Sequence, residues 1–358
     1  MKGIYIHIPF CIKKCNYCDF CSFPNMLSRQ GEYIKALNKE ASSYKGDAVF
    51  ADTLYFGGGT PSLLDVKSIE SIIKTVNANF TISPDAEITI EANPATITED
   101  KAKELHSLGI NRISLGAQSF IDAELATLGR AHCADDIEKS FAILRQAGFS
   151  NISLDLMYAL PGQTMQIWKE DLEKAVSFQP EHISAYMLIP EPGTPFTKKF
   201  GEEPPLSEEL QAEMWEFAGD FLDSYGLSRY EISNHALPGG ECRHNQNVWH
   251  GKTYLGLGPS ACSFDGKDRF TNAAPLSEWL SGVSPEIDSV SEEIRRREVF
   301  MMGLRTVRGW NKSEFNWNDF LPVLQLLQDD GLIKISEHAV KPTKQGLLCW
   351  NTIAENLI

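Results

Sequence analysis

The sequence predicts an α/β fold built on a parallel sheet, and two regularities support this prediction. Short β-rich segments recur about every thirty residues as far as residue 186, and segments with helical periodicity separate them. Repeated strand–helix units need right-handed crossovers, so the strands run parallel in an open doubly wound sheet or in a barrel. Six strands are expected, at Gly3–Ile8, Thr53–Phe56, Glu87–Glu91, Arg112–Leu115, Ile152–Leu156 and His182–Tyr186. The helices are expected at Arg29–Tyr44, Val66–Ala78, Asp100–Leu108, Asp135–Ala147, Met165–Phe178 and Ser207–Tyr225.

Polar or reactive side chains follow the predicted strands in chain order. A cysteine cluster follows the first strand, the segment FGGGTPS follows the second, and Glu91 ends the third. Gln118 follows the fourth strand, and Asp155 lies near the end of the fifth. The carboxyl ends of parallel strands meet on one face of a sheet, where functional residues collect. We therefore expect one face of the sheet to carry the site.

The length and charge of the chain limit the class of protein it can be. Its 358 residues suffice for one large domain and a smaller one, and 42% of them are hydrophobic. The net charge of −15 argues against nucleic acid or anionic lipid as a partner, since both need a basic face. The first apolar stretch is too short for a signal peptide, and no run approaches the roughly 18 apolar residues of a membrane span. We expect a cytoplasmic protein without stable membrane insertion.

The rest of the chain divides into a bridging region and a C-terminal unit. After Tyr230, the stretch ALPGGECRHNQNVWHGKTYLGLGPSACSF has loop chemistry and is expected to form a lid or a bridge. From about Ser289, the helix Glu292–Arg305 and a helix near Phe320–Gln328 precede the strand-like segments LIKIS and AVKPT, in an order that resembles a winged helix. The wing is not rich in Lys or Arg, which favours packing or protein contact over DNA binding. The expected domains are residues 1–235, 236–284 and 285–358.

Four cysteines lie within eleven residues, which in a reducing compartment indicates a metal site rather than disulfides. Cys11, Cys15 and Cys18 can hold three corners of a four-iron, four-sulfur cubane and leave the fourth iron open to a ligand. The alternative is a closed zinc site of four thiolates that also uses Cys21. The sequence around the other strand ends bears on this choice.

The polar residues near the other strand ends suit a ligand with amino, carboxylate and hydroxyl groups. The glycines of GGGTPS let backbone approach a ligand closely, although a plain turn is the alternative explanation. Glu91 ends an apolar strand, where a carboxylate is costly unless it meets a partner. Gln118 can hold an amide or amine, Arg130 can fork onto a carboxylate, and Asp155 can accept from ribose. Each alone could be a surface or capping group, but their common placement favours a site.

Seven segments of the chain carry a resemblance to a known family. They are MKGIYIHIPFCIKKCNYC, FGGGTPS, ITIEANP, NRISLGAQSF, LGRAH, LDLMYALPGQT and HISAYMLIPEPGTPF. Together they resemble the radical S-adenosylmethionine (SAM) proteins related to oxygen-independent coproporphyrinogen dehydrogenase, over nearly the whole chain. The resemblance implies a partial (β/α)6 radical SAM barrel with a small C-terminal winged-helix-like domain. It also implies that Cys11, Cys15 and Cys18 hold a [4Fe-4S] cluster whose fourth iron is chelated by SAM.

The same resemblance assigns expected roles to further residues. Tyr5 would contact the nucleotide of SAM beside the cluster. The methionyl portion would meet Gly58, Gly59 and Thr60. The remainder of SAM would be held by Glu91, Gln118, Arg130 and Asp155.

Two branches of this family differ in features that the sequence displays. The dehydrogenase branch has a long extension before its cluster and a fourth cysteine two residues after the third, whereas this chain has Phe20 at that position. The second branch consists of haem chaperones, which this chain resembles in its short N-terminus and in the segment HNQNVW, close to that branch's HNxxYW signature. Val248 replaces the expected Tyr, and Cys262 stands where His is expected. Among the candidate axial haem ligands His244, His250 and Cys262, we favour His244.

Two functions are compatible with these features. The first is a haem chaperone that binds haem and a SAM-liganded cluster and passes haem to client haemoproteins. The second is a radical enzyme acting on a porphyrinogen, which cleaves SAM with an electron from a reductant of the cluster. The chaperone is favoured because features of the decarboxylating branch are missing, so coproporphyrinogen dehydrogenase activity is not expected.

Overall fold

The computed structural model describes residues 2–44 and 50–358 and contains all six predicted strands. They are β1 (Gly3–Ile8), β2 (Phe50–Gly58), β3 (Thr81–Ala92), β4 (Arg112–Gln118), β5 (Ile152–Tyr158) and β6 (His182–Met187). These strands pair in parallel with their sequence neighbours, so the polar residues at their ends share one edge of the sheet. The order β1 to β6 confirms the predicted parallel α/β architecture.

Six shorter strands extend this sheet at both edges. They are β7 (Ser228–Arg229), β8 (Asn234–Ala236), β9 (Tyr254–Leu257), β10 (Cys262–Phe264), β11 (Arg269–Thr271) and β12 (Glu286–Asp288). The twelve-stranded order is β12-β11-β10-β9-β1-β2-β3-β4-β5-β6-β8-β7. Strand β9 runs parallel to β1, whereas β8 runs antiparallel to β6. The sheet thus continues past both edges of the six-stranded core and does not close on itself. It is therefore a partial (β/α)6 barrel.

Helices cover the outer face of the sheet and the apolar faces of most of them form the core, whereas the short helices that contain Leu128 and Phe196 pack in a separate small cluster. The helices are α1 (Gln30–Ser43), α2 (Val66–Asn79), α3 (Glu99–Ser107), α4 (Asp122–Leu128), α5 (Ala134–Gln146), α6 (Met165–Ser177), α7 (Pro195–Phe200) and α8 (Glu208–Ser224). Strand β1 illustrates how the two faces differ, because side chains alternate along a strand. Ile4, Ile6 and Ile8 are fully buried in the core, whereas Tyr5 and His7 face the concave side.

The stretch after Tyr230 is more ordered than its loop-like composition indicates. Besides β8 to β10 it contains helix α9 (Arg243–Trp249), followed later by α10 (Leu276–Leu280). The expectation of a loop was wrong for these parts, because elements of three to seven residues set among Gly- and Pro-containing turns are too short to display a periodicity. Helix α9 begins where the side chain of Glu87 accepts hydrogen bonds from the amides of Arg243 (2.9 Å) and His244 (3.0 Å).

The C-terminal unit combines helices with a small antiparallel sheet, as predicted. Its helices are α11 (Glu292–Gly303), α12 (Leu321–Asp329), α13 (Lys344–Leu348) and α14 (Trp350–Leu357). Its strands β13 (Trp310–Asn311), β14 (Ile333–Ile335) and β15 (Ala339–Pro342) form a sheet in the order β13-β15-β14. This unit has a hydrophobic core of its own, which includes Phe300, Leu324 and Val340. Across the described ranges, no helix has both the length and the apolar character needed to cross a bilayer.

Candidate functional site

The main cavity lies at the carboxyl ends of the parallel strands and brings together most of the predicted site residues. Its lining includes Cys11, Cys15, Cys18, Gly58, Gly59, Thr60, Glu91, Gln118, Arg130 and Asp155. Tyr5 and His244 do not line it but lie on a second cavity beside it. The expectation that one end of the sheet gathers the polar residues is therefore met by ten residues from six parts of the chain.

The cysteine loop is held over the cavity by contacts with the end of helix α4. The backbone amide of Asn16 donates to the Leu128 carbonyl (2.9 Å), and its side-chain amide donates to the Thr127 carbonyl (2.9 Å). Gly129 has φ +72°, and a Cβ at that position would lie 2.7 Å from the Asn16 side chain. These contacts fix the middle of the loop, so the cysteines on either side of Asn16 keep a defined orientation.

The four clustered cysteines separate into a set of three and a single residue. Cys11, Cys15 and Cys18 line the main cavity, whereas Cys21 lines the second cavity and donates its thiol to the Ala274 carbonyl (3.1 Å). Within residues 2–44 and 50–358, no three His, Cys, Asp or Glu side chains converge on a single metal ion. A zinc ion needs four ligands at about 2.3 Å from one centre, whereas a cubane spreads its thiolates over separate irons. Because Cys21 lines the other cavity, the arrangement presents three thiols together and not the four that a zinc site would need.

Burial disfavours the thiolate form of two of the three cysteines that line the main cavity. Burial raises the pKa of the Cys18 thiol to about 11 and also raises the pKa of Cys11. A coordinated metal deprotonates a thiol outright. The positive charge of iron would therefore stabilise the thiolate form, which the buried surroundings of these cysteines do not. The donor set therefore fits an iron–sulfur cluster.

Arg130 links the cysteine loop to the strand ends. Its guanidinium donates to Cys15 Sγ (3.3 Å), to the Gly116 carbonyl (2.8 Å) and to the side-chain oxygen of Asn93. Asn93 in turn donates to Thr60 Oγ1 (3.0 Å). Arg130 Nε is buried with no acceptor among the described residues, so the guanidinium still has an unused donor for a carboxylate ligand. The sequence reasoning missed Asn93, although it lies in the quoted segment ITIEANP two residues after Glu91.

Two glycines of the GGGTPS segment are required by close contacts. Gly58 has φ +110°, and a Cβ there would lie 2.7 Å from the ring of His7. At Gly59, a Cβ would lie 2.7 Å from the Phe10 carbonyl oxygen and 3.1 Å from Cys11 Sγ. Backbone without side chains thus runs directly beside the cysteine loop, so these glycines do more than form an ordinary turn.

Glu91 is a carboxylate held in the wall of the cavity. It accepts hydrogen bonds from the Tyr55 hydroxyl (2.9 Å) and from the Gly58 amide (3.0 Å). Burial raises the pKa of Glu91 to about 7, and the nearby charge of Asp155 acts in the same direction. The sequence reasoning missed Tyr55, whose role as a partner follows only from the pairing of β2 with β3.

Asp155 and Gln118 differ in how far the protein satisfies them. Asp155 accepts hydrogen bonds from the hydroxyls of Ser114 (2.7 Å), Ser184 (2.7 Å) and Ser153 (3.0 Å), so three strands orient its carboxylate. Gln118 has φ +70° at a shift of register between β4 and β5, and its side chain has no hydrogen bond among the described residues. The side chain of Gln118 is therefore free to bind a ligand. Its positive φ is a backbone conformation that residues other than glycine rarely adopt.

The second cavity, the side cavity from here on, adjoins the main cavity and contains the remaining predicted residues. It is lined by Tyr5, His7, Asp19, Phe20, Cys21, Gly58, Glu91, His244, Val248, Tyr254, Ser260 and Cys262. Gly58, Glu91 and Phe20 line both cavities, so the two are separated by a common wall. The Phe20 ring is 63% exposed at this boundary.

The three candidate haem ligands occupy different surroundings. His244 and Cys262 line the side cavity, but His250 does not. His250 is buried against the C-terminal unit, where its Nδ1 contacts the Gln246 carbonyl (2.9 Å) and its Nε2 accepts from Arg308 (3.4 Å). His244 Nδ1 bonds Thr53 Oγ1 (2.9 Å), and burial lowers the pKa of His244 to about 4, so its ring is neutral.

Comparisons with known proteins agree with this architecture. A family model of the radical SAM superfamily matches residues 5–175, and the HemN C-terminal domain model matches residues 290–349. The chain is 35% identical to the heme chaperone HemW of Bacillus subtilis, covering 99% of this chain and 98% of that protein. It is 36% identical to the heme chaperone HemW of Escherichia coli, covering 76% and 72%. The solved structure of the radical SAM enzyme coproporphyrinogen III oxidase (HemN) from Escherichia coli has the same fold, with a TM-score of 0.85 at 24% identity over 99% of this chain and 89% of that chain.

Proposed function

The chain belongs to the HemW family of radical SAM proteins, and on that premise we propose that it binds haem and delivers it to client haemoproteins. The observation that carries the proposal is the pair of adjoining cavities. One contains three cysteines and a polar set suited to SAM, and the other contains two side chains that can ligate haem iron.

In the main cavity, Cys11, Cys15 and Cys18 would hold a [4Fe-4S] cluster with one iron open to SAM. When bound and reduced, this cluster supplies the electron that radical SAM chemistry requires. Gly58, Gly59 and Thr60 would meet the methionyl portion of SAM, because the bare backbone of the two glycines lets a ligand approach closely beside the cysteine loop. The remainder would be held by Glu91, Gln118, Arg130 and Asp155, with Tyr5 near the nucleotide.

In the side cavity, His244 would bind the haem iron. Its ring is neutral, which is the form that ligates metals, and its Nδ1 is already fixed by Thr53. Haem and SAM would then occupy neighbouring positions on either side of Glu91. We also propose a cytoplasmic location, where thiols remain reduced, and a reductant that serves the cluster.

A division into residues 1–235, 236–284 and 285–358 is part of the proposal. The separate hydrophobic core of the C-terminal unit supports the last boundary. In this scheme the last unit packs on the barrel, and Arg305 forms an ion pair with the buried Glu231 (3.1 Å) at their junction.

A paired assay on one reconstituted sample tests this function against the radical-enzyme alternative. Haem is titrated into the protein, and coproporphyrinogen III turnover is measured anaerobically with SAM and a reductant. We expect a single haem per chain, transfer of that haem to an apo-haemoprotein, and no porphyrinogen product. Product formation without haem transfer would replace the chaperone with the enzyme.

A further inference from the structure

Several groups line the side cavity, but most of those able to ligate iron are already engaged. His7 uses both ring nitrogens, one with the Tyr5 hydroxyl (3.1 Å) and the other with the Cys21 carbonyl (2.7 Å). The Cys21 thiol donates to the Ala274 carbonyl (3.1 Å). Glu91 accepts two hydrogen bonds within the wall. These groups hold the cavity in shape.

His244 is the first side chain that presents a free ligand atom. It is only 7% exposed, and Nδ1 bonds Thr53, whereas Nε2 has no hydrogen-bond partner among the described residues. In the tautomer whose Nδ1 donates to Thr53, Nε2 keeps the lone pair that a metal needs. Metal binding at Nε2 selects this tautomer, and Thr53 then holds the second ring nitrogen as the partners of metal-binding histidines do in general.

Cys262 is the second candidate ligand, because its sulfur is only weakly engaged, and it belongs to a different part of the wall. It begins strand β10, and its thiol makes only long hydrogen bonds, donating to the Ser263 carbonyl (3.6 Å) and accepting from the Tyr254 hydroxyl (3.8 Å), whereas the bond of the Cys21 thiol is 3.1 Å. A phenol that donates to sulfur stabilises a thiolate, because hydrogen bonds to charged acceptors are the strong ones. The pair of Tyr254 and Cys262 thus resembles a ligand with its supporting donor.

We propose that haem in the side cavity is ligated by the thiolate of Cys262 in addition to the imidazole of His244. This inference rests on the proposed function, since it presumes that haem is bound. On coordination the Cys262 thiol releases its proton to solvent and its sulfur donates an electron pair to iron. Val248, Phe20 and Tyr254 supply apolar surface for the macrocycle. Cys262 is therefore a binding residue, and Tyr254 is a positioning residue for its sulfur.

The test uses the full-length, cluster-reconstituted protein titrated with ferric haem, followed by absorption and by electron paramagnetic resonance of the ferric state. Thiolate ligation gives a narrower spread of low-spin g values than ligation by two imidazoles. We expect the thiolate signal in the wild type and in C21S, its loss in C262S, and an imidazole-type signal in C262H. Loss of the ligand should weaken haem binding roughly tenfold or more, as loss of a metal ligand's support does.

The variants separate failure of this inference from failure of the chaperone proposal. If the wild type binds no haem, the proposed function itself fails. If it binds haem but C262S has the same signal and affinity, the Cys262 assignment is overturned while the chaperone stands. Loss of the thiolate signal in C21S instead of C262S would also overturn it, in favour of Cys21. Unchanged cluster absorbance in C262S serves as the folding control.

Discussion

The raised pKa of Glu91 makes a prediction about stability that the Glu91→Gln substitution can test. The difference between its ordinary value of 4.5 and about 7 corresponds to about 3 kcal/mol, at ~1.36 kcal/mol for each pH unit. Because the folded state holds the proton more tightly, ionisation of Glu91 destabilises the fold. This cost is absent below pH 4.5, grows as the pH rises, and is complete above about pH 7.

The expected size of the effect is smaller than this limit for two reasons. Glu91 lines both cavities, where solvent screens part of the cost. Glutamine has one acceptor oxygen where glutamate has two, so it can accept only one of the hydrogen bonds from Tyr55 and Gly58, a loss of about 1 kcal/mol. We therefore expect E91Q to stabilise the cluster-free protein by about 1–2 kcal/mol at pH 8 and to have little effect at pH 5. The same variant should bind SAM more weakly, because an amide replaces the carboxylate.

Urea unfolding of the cluster-free wild type and E91Q at pH 5 and pH 8 measures the difference. Asp171→Asn is the matched control, because burial also raises the pKa of Asp171 to about 7 but this side chain lies outside both cavities. D171N should share the pH-dependent gain without affecting SAM binding. Equal destabilisation of E91Q at both pH values would refute the reasoning.

Three further substitutions test the cysteine loop and helix α9. Cys15→Ala should abolish the brown absorbance of the reconstituted cluster, whereas the exposed Cys133→Ala should retain it; retention in both would place the site elsewhere. Gly59→Ala should prevent cluster assembly, because its Cβ would lie 2.7 Å from a backbone carbonyl, while Gly31→Ala meets nothing within 4 Å and should be silent. Equal cluster yields would contradict that contact. Glu87→Ala should cost about 3 kcal/mol in urea unfolding, because it leaves one buried and one half-buried amide of α9 unpaired. An unchanged unfolding midpoint would contradict this role of the Glu87 carboxylate.

The parallel core could be predicted from the sequence because its strands carry strong and regular signals. Strands such as β1 and β5 are short apolar runs flanked by polar turns, and their spacing fixes the strand–helix alternation. The residues at their ends then converge by topology alone. The cysteine loop, Glu91 and Asp155 needed no tertiary detail to be placed together.

The parts that escaped prediction depend on long-range contacts. Strand β3 begins at Thr81, well before the expected Glu87, because Thr81 and Ile82 already pair with Phe50 and Ala51 of β2. Pro84 and Asp85, which have little strand propensity, lie in a shift of register between these pairs and the pair of Glu87 with Thr53. The position of His244 in a second cavity could not be foreseen, because it depends on Glu87 holding helix α9 across the sheet. Similarly, no local pattern separates Cys21 from Cys18. The roles of the individual site residues remain predictions.

The wall that Gly58 and Glu91 form between the two cavities would couple the binding of a ligand on one side to the binding of a ligand on the other. The first ligand would alter the charge, solvation and mobility of wall atoms that the second ligand also touches. If binding of one ligand changes the affinity for the other by some factor, binding of the other changes the affinity for the first by the same factor, whichever binds earlier. Binding constants measured in either order of addition therefore close a cycle, and a single missing arm can be calculated from the other three.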